Sequence, residues 1–528
     1  MQKCSFWKKI NQKEIFMVIA LMVVCFVILF LNRRLPFFAS DEGDNFLGGK
    51  MVANGLDIYK EFPSQHMPLM YYVCAIFYLL GARTVIQFRL LFYAFLCILW
   101  GIMYLRYSKV YGKITMLLYP LLYICVMHFM DFGYCVLSEQ LWAQGMVILL
   151  LEYLMYLKEK VISIASACWI SFGIFISFGS AFMAAASIGI LFLGVLYSEI
   201  LVQKKKKHSF GTSLGEIYRR NWRLVLAILL PFVILIGWYL ISNNLYNAYY
   251  GSFVVNREFY PQYMPTIQST KDTLLQPFVN LWNWIWQTHY TEVYIQIMLF
   301  ALFVVWLIVK KMYVPSVVIA LFTVFCSIRG IDNFHALQFH AVIMMMGAIL
   351  FGEFVRNIII PILSNYKKME KIVAIGCVVI ALGVACFPLY RSYYEKKGFM
   401  RILEGESVDA NPEGHEVINQ LADENEKIYE CILNPWFYFA TDTLPVTTSA
   451  VCPWIYEAYH DDIMSDLKRE RPRIVVYDEN FDVWGNRFGD FAADMCEYFE
   501  ENYTLLDGYS QIHVRNDYYE QAISVLGK

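Results

Sequence analysis

The chain alternates long apolar stretches with short polar loops over most of its length. Helices of about 17–25 apolar residues span the hydrocarbon core of a bilayer. The pattern therefore predicts a polytopic α-helical membrane protein with about eleven transmembrane helices. The eleven predicted spans lie near residues 15–32, 88–105, 114–130, 140–157, 161–178, 180–202, 223–243, 291–309, 313–328, 339–355 and 371–389.

A further apolar stretch, Met67–Gly81, is shorter than the others. As a helix it rises only about 22 Å, against a hydrocarbon core of about 30 Å. Cytoplasmic loops of membrane proteins carry the excess of Lys and Arg. If Met67–Gly81 does not cross the membrane, every basic cluster between the spans lies on the cytoplasmic side. If it does cross, some of these clusters lie outside. We therefore predict a juxtamembrane helix here, with the N-terminus in the cytoplasm.

The last part of the chain has a different pattern, in which helical and strand-like segments alternate. Alternation of this kind indicates a soluble α/β domain. We place the boundary after residue 391, so that residues 1–391 form a transmembrane module and residues 392–528 a C-terminal domain, which the span count places outside the cell. Candidate helices lie at 413–425, 461–471 and 490–502, and candidate strands at 427–432, 473–477 and 510–515.

Composition and charge support this division. The sequence is 58% apolar and 17% aromatic, and its net charge is −2. Residues 1–391 carry a net charge of +14 and residues 392–528 a net charge of −16. The basic residues lie in short loops between spans, which argues against a nucleic-acid partner. Cys431, Cys452 and Cys496 fall in the C-terminal domain, which leaves room for one disulfide among them.

Three carboxylates follow the first predicted span, namely Asp41, Glu42 and Asp44. Like charges this close repel each other, so the cluster requires a cation, hydrogen-bond donors or a substrate. One carboxylate near the membrane surface can act as a general base towards an acceptor hydroxyl. Together with His66 it can also hold a divalent metal that neutralises a phosphate leaving group. A solvated acidic turn that caps the next helix is the structural alternative.

Two later loops on the same predicted side carry further polar candidates. Glu139 opens the predicted fourth span, where a helix start capped by Ser138 is the simpler interpretation. Arg329 and His335 lie in a short loop and can donate hydrogen bonds to phosphate oxygens. For Arg329, anchoring at the membrane interface is the alternative.

The first external loop resembles that of the GT-C glycosyltransferases of the protein O-mannosyltransferase and aminoarabinose transferase type. The resemblance rests on Asp41-Glu42 directly after the first span, on Gly55–Tyr59, and on residues 66–69 (HMPL). The mannosyltransferase branch has His-Pro-Pro-Leu at the last of these, so Met67 is a departure. The resemblance implies a GT-C fold and a cell-membrane enzyme that transfers a sugar from a polyprenyl-phosphate donor to an acceptor at the outer membrane face.

The same resemblance implies roles for single residues. Asp41 is the general base that activates the acceptor, and Glu42 supports it or contacts the acceptor. The acceptor is a protein, a lipid or a cell-envelope glycan. A divalent metal is an open alternative for which Asp41 and His66 are the candidate ligands. The residues expected to bind the donor phosphate or the acceptor are His66, Glu139, Arg329 and His335.

Two non-enzymatic functions compete with this interpretation. The first is a transporter or a lipid-handling protein, and the second is a non-catalytic assembly partner with the same fold. Proton-driven transporters place chains of acidic residues near the bilayer midplane. Acidic residues inside the predicted spans are sparse and lie near the helix ends, as Glu152 and Glu353 do. This placement favours the enzyme.

Overall fold

The computed structural model describes most of the chain. The residues described are 12–33, 40–129, 132–205, 210–263, 275–287, 291–330, 334–363, 376, 379, 383, 414–448 and 451–527.

The first part of the described chain is helical. Its helices are α1 (Gln12–Leu31), α2 (Asp41–Ala53), α3 (Leu69–Leu79), α4 (Val85–Tyr111), α5 (Lys113–Phe129), α6 (Ser138–Glu159), α7 (Ile164–Phe178), α8 (Ala184–Lys205), α9 (Phe210–Ile241), α10 (Leu245–Tyr249), a π-helix (Tyr250–Phe259), α11 (Tyr260–Tyr263), α12 (Gln276–Gln287), α13 (Thr291–Val309), α14 (Tyr313–Phe325), a 3-10 turn (Phe334–Ala336), α15 (Leu337–Phe354), a second π-helix (Val355–Ile359) and α16 (Ile360–Leu363).

The apolar stretches of the sequence coincide with these helices. Ten of the eleven predicted spans match α1, α4 to α9 and α13 to α15, whereas the eleventh, 371–389, lies outside the described ranges apart from three single residues. Within the described residues, six helices are long and apolar enough to cross a membrane, and five shorter apolar helices accompany them. The chain is therefore a multi-pass membrane protein, and the count of eleven spans stays a prediction.

Helix α6 forms the centre of the bundle, and every residue from Glu139 to Leu157 is buried. The side-chain oxygens of two of its glutamines accept hydrogen bonds from neighbouring helices. Gln144 Oε1 accepts a hydrogen bond from Trp100 Nε1 at 2.9 Å, and Gln140 Oε1 accepts one from Tyr123 at 2.6 Å. Since a buried polar group without a partner costs free energy, these bonds allow a helix with glutamines to occupy the core.

Helices α2 and α3 pack closely because glycine occupies two contact positions on α2. A Cβ atom on Gly48 would lie 2.4 Å from the ring of Tyr71, and one on Gly49 would lie 2.5 Å from Cys74 Cβ. Any larger side chain would push the helices apart. The short apolar stretch after residue 67 thus forms a helix of 11 residues that supports the acidic helix.

Residues 414–527 contain helices around a sheet. The sheet has five strands, which in spatial order are β2 (Leu444–Pro445), β1 (Lys427–Glu430), β3 (Ile474–Val476), β7 (Ile512–Arg515) and β6 (Tyr503–Leu505). Strand β1 runs parallel to β2 and β3, and β7 runs antiparallel to β3 and β6. The predicted boundary at 391/392 lies outside the described residues. The elements are α17 (His415–Leu421), β1 (Lys427–Glu430), α18 (Phe437–Ala440), β2 (Leu444–Pro445), α19 (Pro453–Glu470), β3 (Ile474–Val476), β4 (Asp482–Val483), β5 (Asn486–Arg487), α20 (Phe488–Phe491), α21 (Ala493–Asn502), β6 (Tyr503–Leu505), β7 (Ile512–Arg515), a 3-10 turn (Asn516–Tyr518) and α22 (Tyr519–Leu526).

A buried lysine of α2, Lys50, forms hydrogen bonds with this C-terminal part. Lys50 Nζ donates to the carbonyl oxygens of Tyr438 and Thr443, each at 3.0 Å, and to Asp442 Oδ1 at 3.1 Å. Burial lowers the pKa of Lys50, and the attraction of Asp442 partly offsets this effect. The three bonds use all three donors of the ammonium group. They hold the C-terminal part against the helix that carries the acidic cluster.

The cysteines of this part form no disulfide among the described residues. Cys431, Cys452 and Cys496 are free and buried.

The predicted orientation can be tested with exposed positions. We expect a cysteine at Lys60, in the loop after α2, to react with a membrane-impermeant maleimide on intact cells. A cysteine at Lys109, at the far end of α4, should react only after permeabilisation. Both residues are exposed. The parent protein should carry Cys168→Ser, since Cys168 is an exposed thiol. The reverse labelling pattern would contradict a cytoplasmic N-terminus.

Candidate active site

The acidic cluster lies in the first turn of α2, and it is not a solvated turn. Glu42 and Asp44 are buried, and Asp41 is half-buried. Ser40 precedes the helix but makes no side-chain capping bond. The structural alternative from the sequence, an acidic turn in water, therefore does not describe this segment.

Glu42 points into the protein and forms an ion pair with Arg89 of α4. The two side chains are fully buried and meet through Nη2 and Oε2 at 2.6 Å and through Nε and Oε1 at 2.9 Å. The backbone N–H of Val136 donates to the same Oε1 at 2.9 Å. Glu42 thus joins α2, α4 and the segment before α6, and it lines neither of the two cavities described below.

Asp44 accepts a hydrogen bond from the hydroxyl of Tyr71 at 2.5 Å. That hydroxyl also lies 2.9 Å from Ser64 Oγ, so the carboxylate is linked to the loop that precedes α3. Asp44 lies one helical turn after Asp41, and side chains three apart share a face of a helix. Both acids line the same small cavity.

Asp41 has a perturbed acidity. Burial of the carboxyl group raises its pKa above the usual aspartate range. Electrostatic interactions with His66, His335 and Arg329 oppose this rise, whereas the interaction with Glu139 adds to it. Four of the other predicted site residues are therefore close enough to Asp41 to act on its charge. A carboxylate with a raised pKa is a better proton acceptor than an ordinary one.

Glu139 holds two basic side chains that come from a distant part of the chain. Its Oε1 lies 2.6 Å from Arg329 Nη1 and 2.9 Å from His335 Nδ1. Ser138 Oγ donates to the other carboxylate oxygen at 3.1 Å. Because Glu139 is buried, it cannot be the solvated helix start of the simpler interpretation. Arg329 is engaged in a defined ion pair.

Arg329 and His335 open into a cavity of about 220 Å³. A smaller cavity of about 50 Å³ contains Asp41 and Asp44. Gln65 and His66 line both, so they form the partition between the two spaces. The other residues around the larger cavity are Met67, Ser138, Ser180, Ala181, Phe182, Met183, Asn256, Tyr260, Gln276 and Ile328.

The partition is held by the π-helix 250–259. Asn256 Nδ2 donates to the carbonyl oxygen of Gln65 at 2.7 Å. Tyr59 donates to the carbonyl oxygen of His66 at 2.5 Å and itself accepts a bond from Ser252 at 3.0 Å. Sequence reasoning did not find Gln65 or Asn256, because a π-helix has no recognisable sequence period and these contacts join residues about 190 positions apart.

Asp41 and His66 are the two candidate ligands for a divalent metal. Within the described residues, no three His, Cys, Asp or Glu side chains converge on a point where they could hold a metal ion. Asp41 and His66 line the same small cavity. A divalent ion held by these two residues would take its remaining oxygen ligands from a bound substrate or from water.

The chain is a multi-pass membrane protein in which the helix bundle, the acidic helix α2 and the C-terminal part meet around two neighbouring cavities. Among solved structures, the chain is similar to ArnT, an aminoarabinose transferase from Cupriavidus metallidurans, in its apo state, with a TM-score of 0.52, 13% identity and coverage of 95% of this chain and 98% of that one. The undecaprenyl-phosphate complex of ArnT gives a TM-score of 0.51 at 14% identity, with 96% and 98% covered.

The archaeal oligosaccharyltransferase AglB from Archaeoglobus fulgidus, in complex with an inhibitory peptide and a dolichol-phosphate, aligns with a TM-score of 0.46 at 11% identity, with 89% and 70% covered. No protein-family model and no curated protein sequence matches the chain. The expectation of a GT-C fold is confirmed by the similarity to ArnT.

The buried pair Glu42–Arg89 should be critical for stability. We expect Glu42→Gln to lower the free energy of unfolding by about 3–5 kcal/mol, because it leaves the Arg89 charge buried without its partner. Thermal unfolding of the purified protein measures this loss. Glu416→Gln, at an exposed acid in α17, is the matched control and should change stability by about 0.5 kcal/mol or less. Equal melting temperatures for both variants would contradict the structural role of the pair.

Proposed function

We propose that this chain is a glycosyltransferase that moves a sugar from a polyprenyl-phosphate donor to an acceptor hydroxyl at the outer membrane face. One observation carries the proposal. A half-buried carboxylate, Asp41, and a basic pair, Arg329 and His335, line adjoining cavities that share only Gln65 and His66. This arrangement supports a mechanism in which the donor sugar lies between the proposed base and the proposed phosphate site. The ArnT complex with undecaprenyl phosphate has the same fold.

The larger cavity is the proposed site of the donor phosphate. Arg329 carries five N–H donors in a planar fork that matches phosphate oxygens. Its contact with Glu139 through Nη1 fixes the orientation of the fork. Glu139 is therefore a positioning residue in this proposal, since it is buried and does not line the cavity. His335 and His66 line the same space and add donors at its edge.

The smaller cavity is the proposed site of proton transfer. Asp41 accepts the proton of the acceptor hydroxyl while that oxygen attacks the anomeric carbon of the donor sugar. The bond from this carbon to the phosphate oxygen breaks, and its electron pair stays on the departing polyprenyl phosphate. Arg329 stabilises the charge on the leaving group. The proton on Asp41 passes to solvent after the glycosylated acceptor leaves.

In this proposal Glu42 supports Asp41 through the helix and does not contact the acceptor. Its carboxylate is occupied by Arg89 and by the backbone of Val136. We propose that it positions Asp41 by fixing the first turn of α2. If a divalent metal takes part, Asp41 and His66 remain its candidate ligands, and it would help to neutralise the phosphate.

Asp41→Asn should stop sugar transfer while leaving donor binding intact. An amide of the same shape cannot take up the proton, and loss of a general base typically costs about 10²–10⁴ in rate. Transfer is measured as polyprenyl phosphate released from polyprenyl-phosphate sugars by the protein in nanodiscs, and binding as the affinity for undecaprenyl phosphate. Asp57→Asn, at an exposed acid in the same loop, is the control and should retain activity.

The complementary variant, Arg329→Gln, should weaken undecaprenyl phosphate binding. Normal transfer by Asp41→Asn would remove Asp41 from the mechanism. Absence of transfer in the wild-type protein would instead favour a non-catalytic membrane or assembly function.

The pH dependence of transfer should reflect the raised pKa of Asp41. The base acts only when deprotonated, so the rate falls as the pH drops through this pKa, and the acid limb should lie above the usual aspartate range near pH 4. Arg329 lowers the pKa of Asp41. Arg329→Gln should therefore move the acid limb of kcat to higher pH. A limb that stays in place or moves to lower pH would contradict the proposed coupling.

A further inference from the structure

The small cavity around Asp41 is closed on its other side by the C-terminal part of the chain. One wall consists of the start of α2 and of residues 63–66, with Asp41 and Asp44. The opposite wall consists of Leu433, Thr448, Cys452, Trp454, Ile455 and Trp484. Two separate regions of the sequence thus meet at the proposed catalytic base, and the mechanism above uses only one of them.

Two stacked indole rings dominate this second wall. The rings of Trp454 and Trp484 lie 5.4 Å apart with an angle of 26° between their planes. Trp454 is buried, with 2% of its surface exposed, whereas Trp484 is 50% exposed. Tyr260, which also lines the larger cavity, packs edge-on against Trp454 at 4.7 Å. The buried ring of Trp454 thus supports Trp484, which presents a large apolar surface to the cavity that contains Asp41 and Asp44.

Trp484 occupies a position where a tryptophan is unusual. It forms a two-residue hairpin turn with Gly485 between β4 and β5, and the φ angles of the two residues are +50° and +86°. Such turns favour Asn, Asp or Gly at the first position, because a bulky side chain is strained at positive φ. Strained residues of this kind cluster at ligand-binding sites. The hairpin therefore places an aromatic side chain where turn chemistry alone would not select one.

The cavity walls also carry polar atoms without partners. The indole Nε1 of Trp454 is buried and has no hydrogen-bond partner in the described part of the chain. The same is true of Gln65 Oε1 on the opposite wall. Buried polar groups are normally paired, so an unpaired donor and an unpaired acceptor beside one cavity point to a ligand that supplies both.

We propose that this cavity is the acceptor subsite and that it binds the hydroxyl-bearing edge of a sugar ring. The inference rests on the proposed function and names its acceptor class as a carbohydrate. A sugar ring offers C–H groups that pack on the indole of Trp484. Its hydroxyls can donate to Asp41, Asp44 and Gln65 and accept from Trp454.

The charges and the secondary structure around the cavity favour such a ligand. Two carboxylates in the cavity and a net charge of −16 over residues 392–528 select a neutral or cationic acceptor over an anionic one. A peptide acceptor held by strand addition needs a long free edge. The strands of the hairpin at the cavity, β4 and β5, have two residues each.

Saturation-transfer NMR on the full-length protein in nanodiscs tests this proposal, with maltotriose, mannotriose and chitotriose as probes. At least one of them should bind to the wild-type protein. Trp484→Ala should weaken that binding about tenfold, and Trp484→Phe should weaken it less. The matched control is Trp282→Ala, since Trp282 is 64% exposed and lines neither cavity. The affinity for undecaprenyl phosphate, measured in parallel, should be the same in all of these variants.

Three results would overturn the acceptor proposal: no binding of any of the sugars, sugar binding that Trp484→Ala leaves unchanged, or binding of a Ser/Thr-containing nonapeptide that depends on Trp484. Each leaves the proposed function standing as long as undecaprenyl phosphate binds and Asp41→Asn blocks transfer. Loss of undecaprenyl phosphate binding in the wild-type protein would instead count against the proposed function itself.

Discussion

The site depends on one buried ion pair, that between Glu42 and Arg89. Two full charges are withdrawn from water, which is tolerated only because the carboxylate accepts two bonds from the guanidinium and a third from the Val136 amide. This contact fixes the rotation of α2 about its axis. Successive residues of a helix are turned by about 100°. With Glu42 directed inward, Asp41 and Asp44 must share the other face, where they line the small cavity.

Glu139 is a second buried carboxylate that holds basic side chains in place, in this case at the larger cavity. Glu139 gathers Arg329 and His335, which lie 190 and 196 positions away in the sequence. Of the three acids predicted as site residues, Glu42 and Glu139 hold basic side chains in place, and Asp41 remains half-buried at a cavity. This distribution separates the proposed proton acceptor from the proposed phosphate-binding group while keeping them close enough for their charges to interact. The proposed roles differ because Glu42 and Glu139 are buried in ion pairs, whereas Asp41 is only half-buried.

Much of the helical framework could be predicted from the sequence, because apolar length is a local property. The segments predicted as strands at 427–432, 473–477 and 510–515 also contain β1, β3 and β7. The partner of Glu42 could not be predicted, since Arg89 lies 47 positions away. Trp484 was missed because strands of two residues carry no alternating pattern.

A cryo-EM map of the protein in nanodiscs with undecaprenyl phosphate tests the central claim most directly, namely that base and phosphate site face each other across residues 65 and 66. Our account predicts phosphate density within hydrogen-bond distance of Arg329, on the side of the cavity towards Asp41. Phosphate density on another surface of the bundle, with the space between Asp41 and Arg329 closed by side chains, would contradict it.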